Sequence, residues 1–138
     1  MLFRSTLTIR VTSVQTSATD RDRPPTGPSK GDSVSSTDRL VNTVAQFGRS
    51  KGAVVGTDRG RLVFTGARSA RYDGTARLPG GTLRVRGAVV AVSASVLRVP
   101  VVGGSGVYAG ARGYLLIGPG ARRAENVYAL VIPEASVA

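Results

Sequence analysis

The chain has no cysteine and no histidine. The first absence excludes disulfides and thiolate metal sites. The second removes the usual general base, the commonest metal ligand and every Ser-His-Asp or Cys-His nucleophile. Aromatics make up only 5% of the residues, too few to supply stacking platforms for single-stranded nucleic acid. No apolar run approaches the ~20 residues needed to cross a bilayer as a helix. The start, MLFRSTLTIRVTSVQ, carries no apolar block of the signal-peptide kind. The expected location is therefore the cytoplasm, with no membrane partner. Carboxylates number eight and several fall in expected turns, so no all-carboxylate metal site is expected.

What is present is arginine, glycine and valine. The net charge is +11, and Lys30 and Lys51 are the only lysines. That balance permits a polyanion partner through phosphate contacts. The arginines are spread along the chain, which reads instead as the solvated faces of strands. Nucleic acid is accordingly not the expected partner. At 138 residues, 41% of them hydrophobic, the chain suits one domain over its whole length, residues 1–138.

Helix signals are almost absent. The best candidate, STDRLVNTVAQFGRSK from Ser36, is rich in β-branched residues and reads better as strand and turn. Strand signals recur throughout, as in LTIRVTSVQTS, AVVGTDRGRLVFTGA, GTLRVRGAVVAVSAS and ENVYALVIP. Links such as LPGG and GGSG are short, which means antiparallel neighbours. One long Pro- and charge-rich loop is expected at about residues 18–32. About eight strands are expected, and closure into a barrel removes the two exposed edges. The predicted fold is all-β, an eight-stranded antiparallel calycin-like β-barrel.

Parity sharpens the picture in TLRVRGAVVAVSAS. Alternation points Arg84, Arg86, Ala88 and Val90 outward, and Leu83, Val85, Gly87, Val89 and Ala91 inward. Such small side chains predict a hollow, apolar lumen. The glycine cluster of VVGGSGVYAGARGYLLI raises a different prospect. Gly104-Ser105-Gly106-Val107-Tyr108-Ala109 fits a loose G-x-G-x-x-A, with Glu125 about twenty residues on. A dinucleotide site needs a helix to open at the third position. A strand-like run follows here, so the glycines read as a hairpin turn.

Several of these stretches, in order from about Gly31 to Pro133, resemble the allene oxide cyclase barrel and dirigent families. They are GDSVSSTDRLVN, GAVVGTDRGRLVFTG, LPGGTLRVRG, VPVVGGSGVYAGARGYLLI and NVYALVIP. The resemblance implies a barrel that binds a reactive, apolar, natural-product-like intermediate of polyketide or terpenoid type and directs its stereoselective ring closure. A 4+2 addition is one such closure. It implies a cofactor-independent cyclase or isomerase of secondary metabolism, with no metal, acting by shape and exclusion of water. It also implies a homo-oligomer, trimer or dimer. Two alternatives stay open: a dirigent-like protein that steers or carries a reactive molecule without catalysis, and a basic barrel that binds a polyanion.

The candidate catalytic residues are Asp38, Tyr108 and Arg112. An inward Asp38 would be desolvated and could act as acid or base; otherwise it is a surface carboxylate paired with an arginine. Arg112 could clamp a carboxylate or enolate, or form a rim ion pair with Glu125. The candidate substrate-binding residues are Gln15, Tyr72, Tyr114 and Tyr128. A phenol inside a barrel can donate to a carbonyl and stack on an unsaturated ligand; otherwise it is a core or interface aromatic. Leu62 stands where the cyclases carry a cysteine, which counts against true allene oxide cyclase activity.

Overall fold

Alternation of side chains builds the walls. In the GTLRVRGA strand Leu83 and Val85 are buried while Arg84 and Arg86 are exposed, the inward–outward pattern expected of a half-buried strand. The computed structural model describes residues 3–21, 31–120 and 122–134. Among them there are nine strands and no helix: β1 (Phe3–Arg21), β2 (Ser33–Asn42), β3 (Val54–Gly66), β4 (Ser69–Leu78), β5 (Gly81–Ala88), β6 (Val90–Ala91), β7 (Leu97–Gly106), β8 (Arg112–Ile117) and β9 (Arg123–Glu134).

Every pairing is antiparallel. The sheet runs β5-β4-β3-β2-β1-β9-β8-β7, and β5 pairs with β7 to close it. The result is a closed eight-stranded barrel with one extra strand, the two-residue β6, paired to β7. Two expectations need correction. The long loop is shorter than expected, because residues 18–21 continue β1 and pair with residues 33–36 of β2; residues 22–30 lie outside the described set. The parity of the β5 segment holds through Val90, with Ala88 and Val90 exposed and Val89 packed against the core, and fails only at Ala91. The strand ends at Ala88, and Ala91, expected inward, is exposed on β6.

One end of the barrel is filled. Ile9, Val11, Leu40, Leu83, Val85, Val99, Leu115 and Tyr128 are all at most 2% exposed and pack in one cluster. This corrects the expected hollow, greasy lumen. The inward valines and leucines of eight strands meet across a barrel of this size and consume its centre. The same end is capped by the glycine-rich hairpin. Gly106 has φ 63°, and a Cβ there would sit 2.1 Å from the Gly80 carbonyl oxygen. The Val107 N–H donates to that same carbonyl at 3.0 Å. The hairpin thus docks on the β4–β5 turn, and a strand, not a helix, follows. Tyr108 seals the end, its hydroxyl donating to the Pro79 carbonyl at 2.7 Å.

The outer face of β2 to β5 carries arginines beside threonines. Arg59 faces Thr37 on one side and Thr75 on the other, and Arg84 faces Thr75. Asp73 lies 3.7 Å from Arg84 and 3.9 Å from Arg86, all of them exposed.

Candidate functional site

The polar inward positions collect at the other end. Gln15 pairs with Asp38 across β1 and β2, and Asp38 pairs with Asp58 across β2 and β3. These three side chains form one row on the inner wall. Two carboxylates directly opposite on neighbouring strands have Cβ atoms ~5 Å apart, an arrangement that is destabilising when both are charged. Asp58 is only 6% exposed. Burial, a side-chain hydrogen bond with Asp38 and the Asp38 charge together push its carboxyl up to about 8. At neutral pH the pair therefore holds a proton on Asp58, in the manner of two carboxyls sharing one site.

Tyr72 stands over this pair because two glycines make room for its ring. Gly60 and Gly74 face each other across β3 and β4. A Cβ at Gly60 would fall 2.0 Å from the Tyr72 hydroxyl, and one at Gly74 would fall 2.5 Å from it. Burial, then the charges of Asp58, Asp38 and Asp73, push the Tyr72 phenol up, so it stays a neutral donor. Tyr128 is buried deeper, its phenol also pushed up by burial and then by Asp58.

Above the pair lies a cavity of about 180 Å³ lined by Ser13, Gln15, Ser36, Asp38, Asp58, Tyr72 and Asn126, with Arg122 and Arg123 also on its wall. Drug-sized ligand pockets run ~300–1,000 Å³, so this opening takes one end of a ligand and not a whole large one. Oδ1 of Asp58 and Oδ1 of Asn126 are buried, and among the described residues no group donates to either. A larger apolar groove of about 420 Å³ lies beside Arg4, Gly110, Arg112 and Pro133. Among the described residues no carboxyl or phenol lines it. Among the described residues no three His, Cys, Asp or Glu come together as a metal would need.

The structure brings together Gln15, Asp38 and Tyr72, with Tyr128 packed in the core below. It sets Tyr108 and Arg112 apart from them, at the capped end. There Arg112 is exposed, and its guanidinium donates to the Ala111 carbonyl at 2.8 Å. Glu125, the partner considered for Arg112, lies 3.8 Å from Arg10 instead. Tyr114 is 44% exposed on the outer wall, with the Arg98 guanidinium 4.6 Å from its ring centre. Sequence reasoning missed Asp58 and Asn126. The signal for Asp58 was the spacing G-x-D-x-G at Gly56, Asp58 and Gly60, which sets a carboxylate between two glycines on one face of a strand.

Comparison with known proteins agrees with the architecture. A family model described as the allene oxide cyclase barrel like domain matches residues 11–131. Among solved structures, a pyocyanin demethylase superposes with a TM-score of 0.74 at 21% identity, over 90% of this chain and 99% of the other. AbnU, an exo-specific intermolecular Diels-Alderase, gives 0.73 at 19% identity, over 94% and 98%. The pterocarpan synthase dirigent protein GePTS1 gives 0.68 at 18% identity, over 99% and 88%. A search of the curated proteins finds none that matches.

Proposed function

The chain belongs to the allene oxide cyclase barrel like family, and from that premise we propose that it directs the stereoselective ring closure of a natural-product intermediate held in the open barrel mouth. The observation that carries the reading is the buried Asp58 facing the half-buried Asp38 across β2 and β3, on the wall of a polar cavity. The solved structures of similar fold include a Diels-Alderase and a dirigent protein, which supports ring closure, or steering of it, as the reaction type.

The proposed chemistry uses this chain's own side chains. In this reading Oδ1 of Asp58, which has no donor among the described residues, meets the ligand, while its other oxygen shares a proton with Asp38. As Oδ1 takes a proton from the ligand, the shared proton passes to Asp38, and the ligand carries the negative charge that the pair has given up. Ring closure of the activated ligand follows, and the proton returns by the same path. Such positioned proton transfer is worth ~10²–10⁴-fold in rate. Holding one ligand conformer against the wall adds an orientation term. Tyr72, a neutral phenol beside the pair, donates to the oxygen on which charge develops.

The test is to incubate the protein with linear precursors of candidate cyclic products, and to follow rate and enantiomeric ratio. The acid–base reading predicts that Asp58→Asn slows closure by about 100-fold while the fold persists. A wild-type protein that changes only the product ratio, with no change in rate, would replace catalysis by dirigent-like steering.

A further inference from the structure

Two residues that line the cavity each hold a buried acceptor oxygen that, among the described residues, has nothing to accept from. Asp58 is 6% exposed and Asn126 5% exposed, and among the described residues no donor reaches Oδ1 of either. Both line the same small cavity. A buried acceptor left unpaired is costly, whereas one that receives a hydrogen bond is not. The carboxyl of Asp38 adds further acceptor capacity to that wall. The remaining charged groups on the cavity are the guanidinium groups of Arg122 and Arg123, both exposed. The Tyr72 phenol and the Ser13 and Ser36 hydroxyls on the same wall can donate, so Oδ1 of Asp58 and Oδ1 of Asn126 are the acceptors left open below a cationic rim.

We infer that the mouth receives the hydrogen-bond-donating end of its ligand, a hydroxyl, enol or N–H group, and that Oδ1 of Asp58 and Oδ1 of Asn126 accept from it. The inference rests on the reading above that the mouth binds a small organic molecule. It reverses the expectation of a wholly apolar ligand end in an apolar lumen. The volume fits this division. At ~30 Å³ per water, about 180 Å³ equals roughly six waters, room for a polar head and part of a ring. The rest of the ligand stays at the rim, where the two arginines favour an electron-rich or anionic group.

The test compares 2-naphthol with 2-methoxynaphthalene, which differ by a methyl group on oxygen. The chain has no tryptophan, so the probes' own fluorescence reports binding without an indole background. At mildly acidic pH the naphthol is neutral. Naphthol is expected to bind about tenfold or more tightly than the ether, the worth of one hydrogen bond into a dry site. Equal affinities, tighter binding of the ether, or binding of neither overturns the inference, and all three outcomes are read on the wild-type protein.

Two variants then locate the contact, with far-UV circular dichroism as the control for folding. Asn126→Leu should reduce the preference for naphthol, and a folded Asn126→Leu protein with the full preference contradicts the assignment. Asp58→Asn keeps an acceptor oxygen at Oδ1 but cannot take a proton. It should retain the preference for naphthol even though it loses ring closure. The two readings can thus fail separately: loss of discrimination sinks this one, and undiminished closure by Asp58→Asn sinks the acid–base reading.

Discussion

At the scale of single residues, Asp58 couples the site to stability. Its carboxyl is raised from the ordinary Asp range to about 8, first by burial and then by Asp38. A group whose folded-state value is raised binds its proton more tightly in the native state. Its contribution is complete below the unfolded value near 4 and is lost as pH rises through about 8. The wild-type barrel should therefore lose stability between those limits, on the order of 3 kcal/mol. Asp58→Asn should remove most of that slope and be more stable than wild type at mildly alkaline pH. Urea unfolding at mildly acidic and mildly alkaline pH checks this, and equal slopes for the two proteins would refute it.

Residue identity alone did not reveal this pair. Asp38 was legible as an inward candidate, but its partner depends on register. A one-residue slip in β3 would turn Asp58 to the solvent face. That register is set by the turn between β2 and β3 and by the irregularity between Leu40 and Val41, neither of which alternation encodes. Tyr114 shows the same limit. Leu115 and Leu116 are both apolar, so β8 can be read in either phase. The structure chooses the one that buries Leu115 at 2% exposure and sends Tyr114 outward.

At the scale of elements, the turn after β2 holds that register. Asn42 is 2% exposed. Its side-chain amide donates to the carbonyls of Gln46 at 3.0 Å, Arg49 at 3.3 Å and Ser50 at 3.2 Å. Its Oδ1 accepts from the Gln46 amide at 3.1 Å. The same three carbonyls also accept the backbone N–H groups of Arg49, Gln46 and Ala53, so the side chain adds second bonds to a turn already closed by its own backbone. Asn42→Ala would remove these four side-chain bonds beside the core while each carbonyl keeps its backbone donor, and should cost about 1–2 kcal/mol, read as a lower midpoint in urea with an unchanged slope. A loss below about 0.5 kcal/mol would show that the turn holds without it. The strands themselves were legible, because half-buried strands must alternate. The extent of β1 was not, because Ala18–Arg21 is polar on both faces and is held as strand only by pairing with β2.

At the scale of the whole molecule, closure separates two chemistries. The inside takes the aliphatic core and the carboxyl pair, and the outside takes the charge. On the face of β2 to β5 the arginines alternate with Thr37, Thr57, Thr75 and Thr82, and Asp73 offsets two of them. That spacing keeps like charges apart and leaves each guanidinium solvated. The account predicts no salt-sensitive binding of mixed-sequence duplex DNA at low ionic strength. Binding whose logarithm falls linearly with the logarithm of salt concentration would instead establish the polyanion reading.

The central claim is that a carboxyl in the barrel mouth keeps its proton at neutral pH because burial, and then a second carboxyl facing it across two strands, disfavour its charge. Carbon-13 NMR of aspartate side-chain carboxyls, titrated with pH and assigned by Asp58→Asn, measures this directly. The account predicts that the Asp58 signal moves near pH 8 and that Asp38→Asn shifts that midpoint down. A single Asp58 transition in the ordinary range near 4, unmoved by Asp38→Asn, would contradict it.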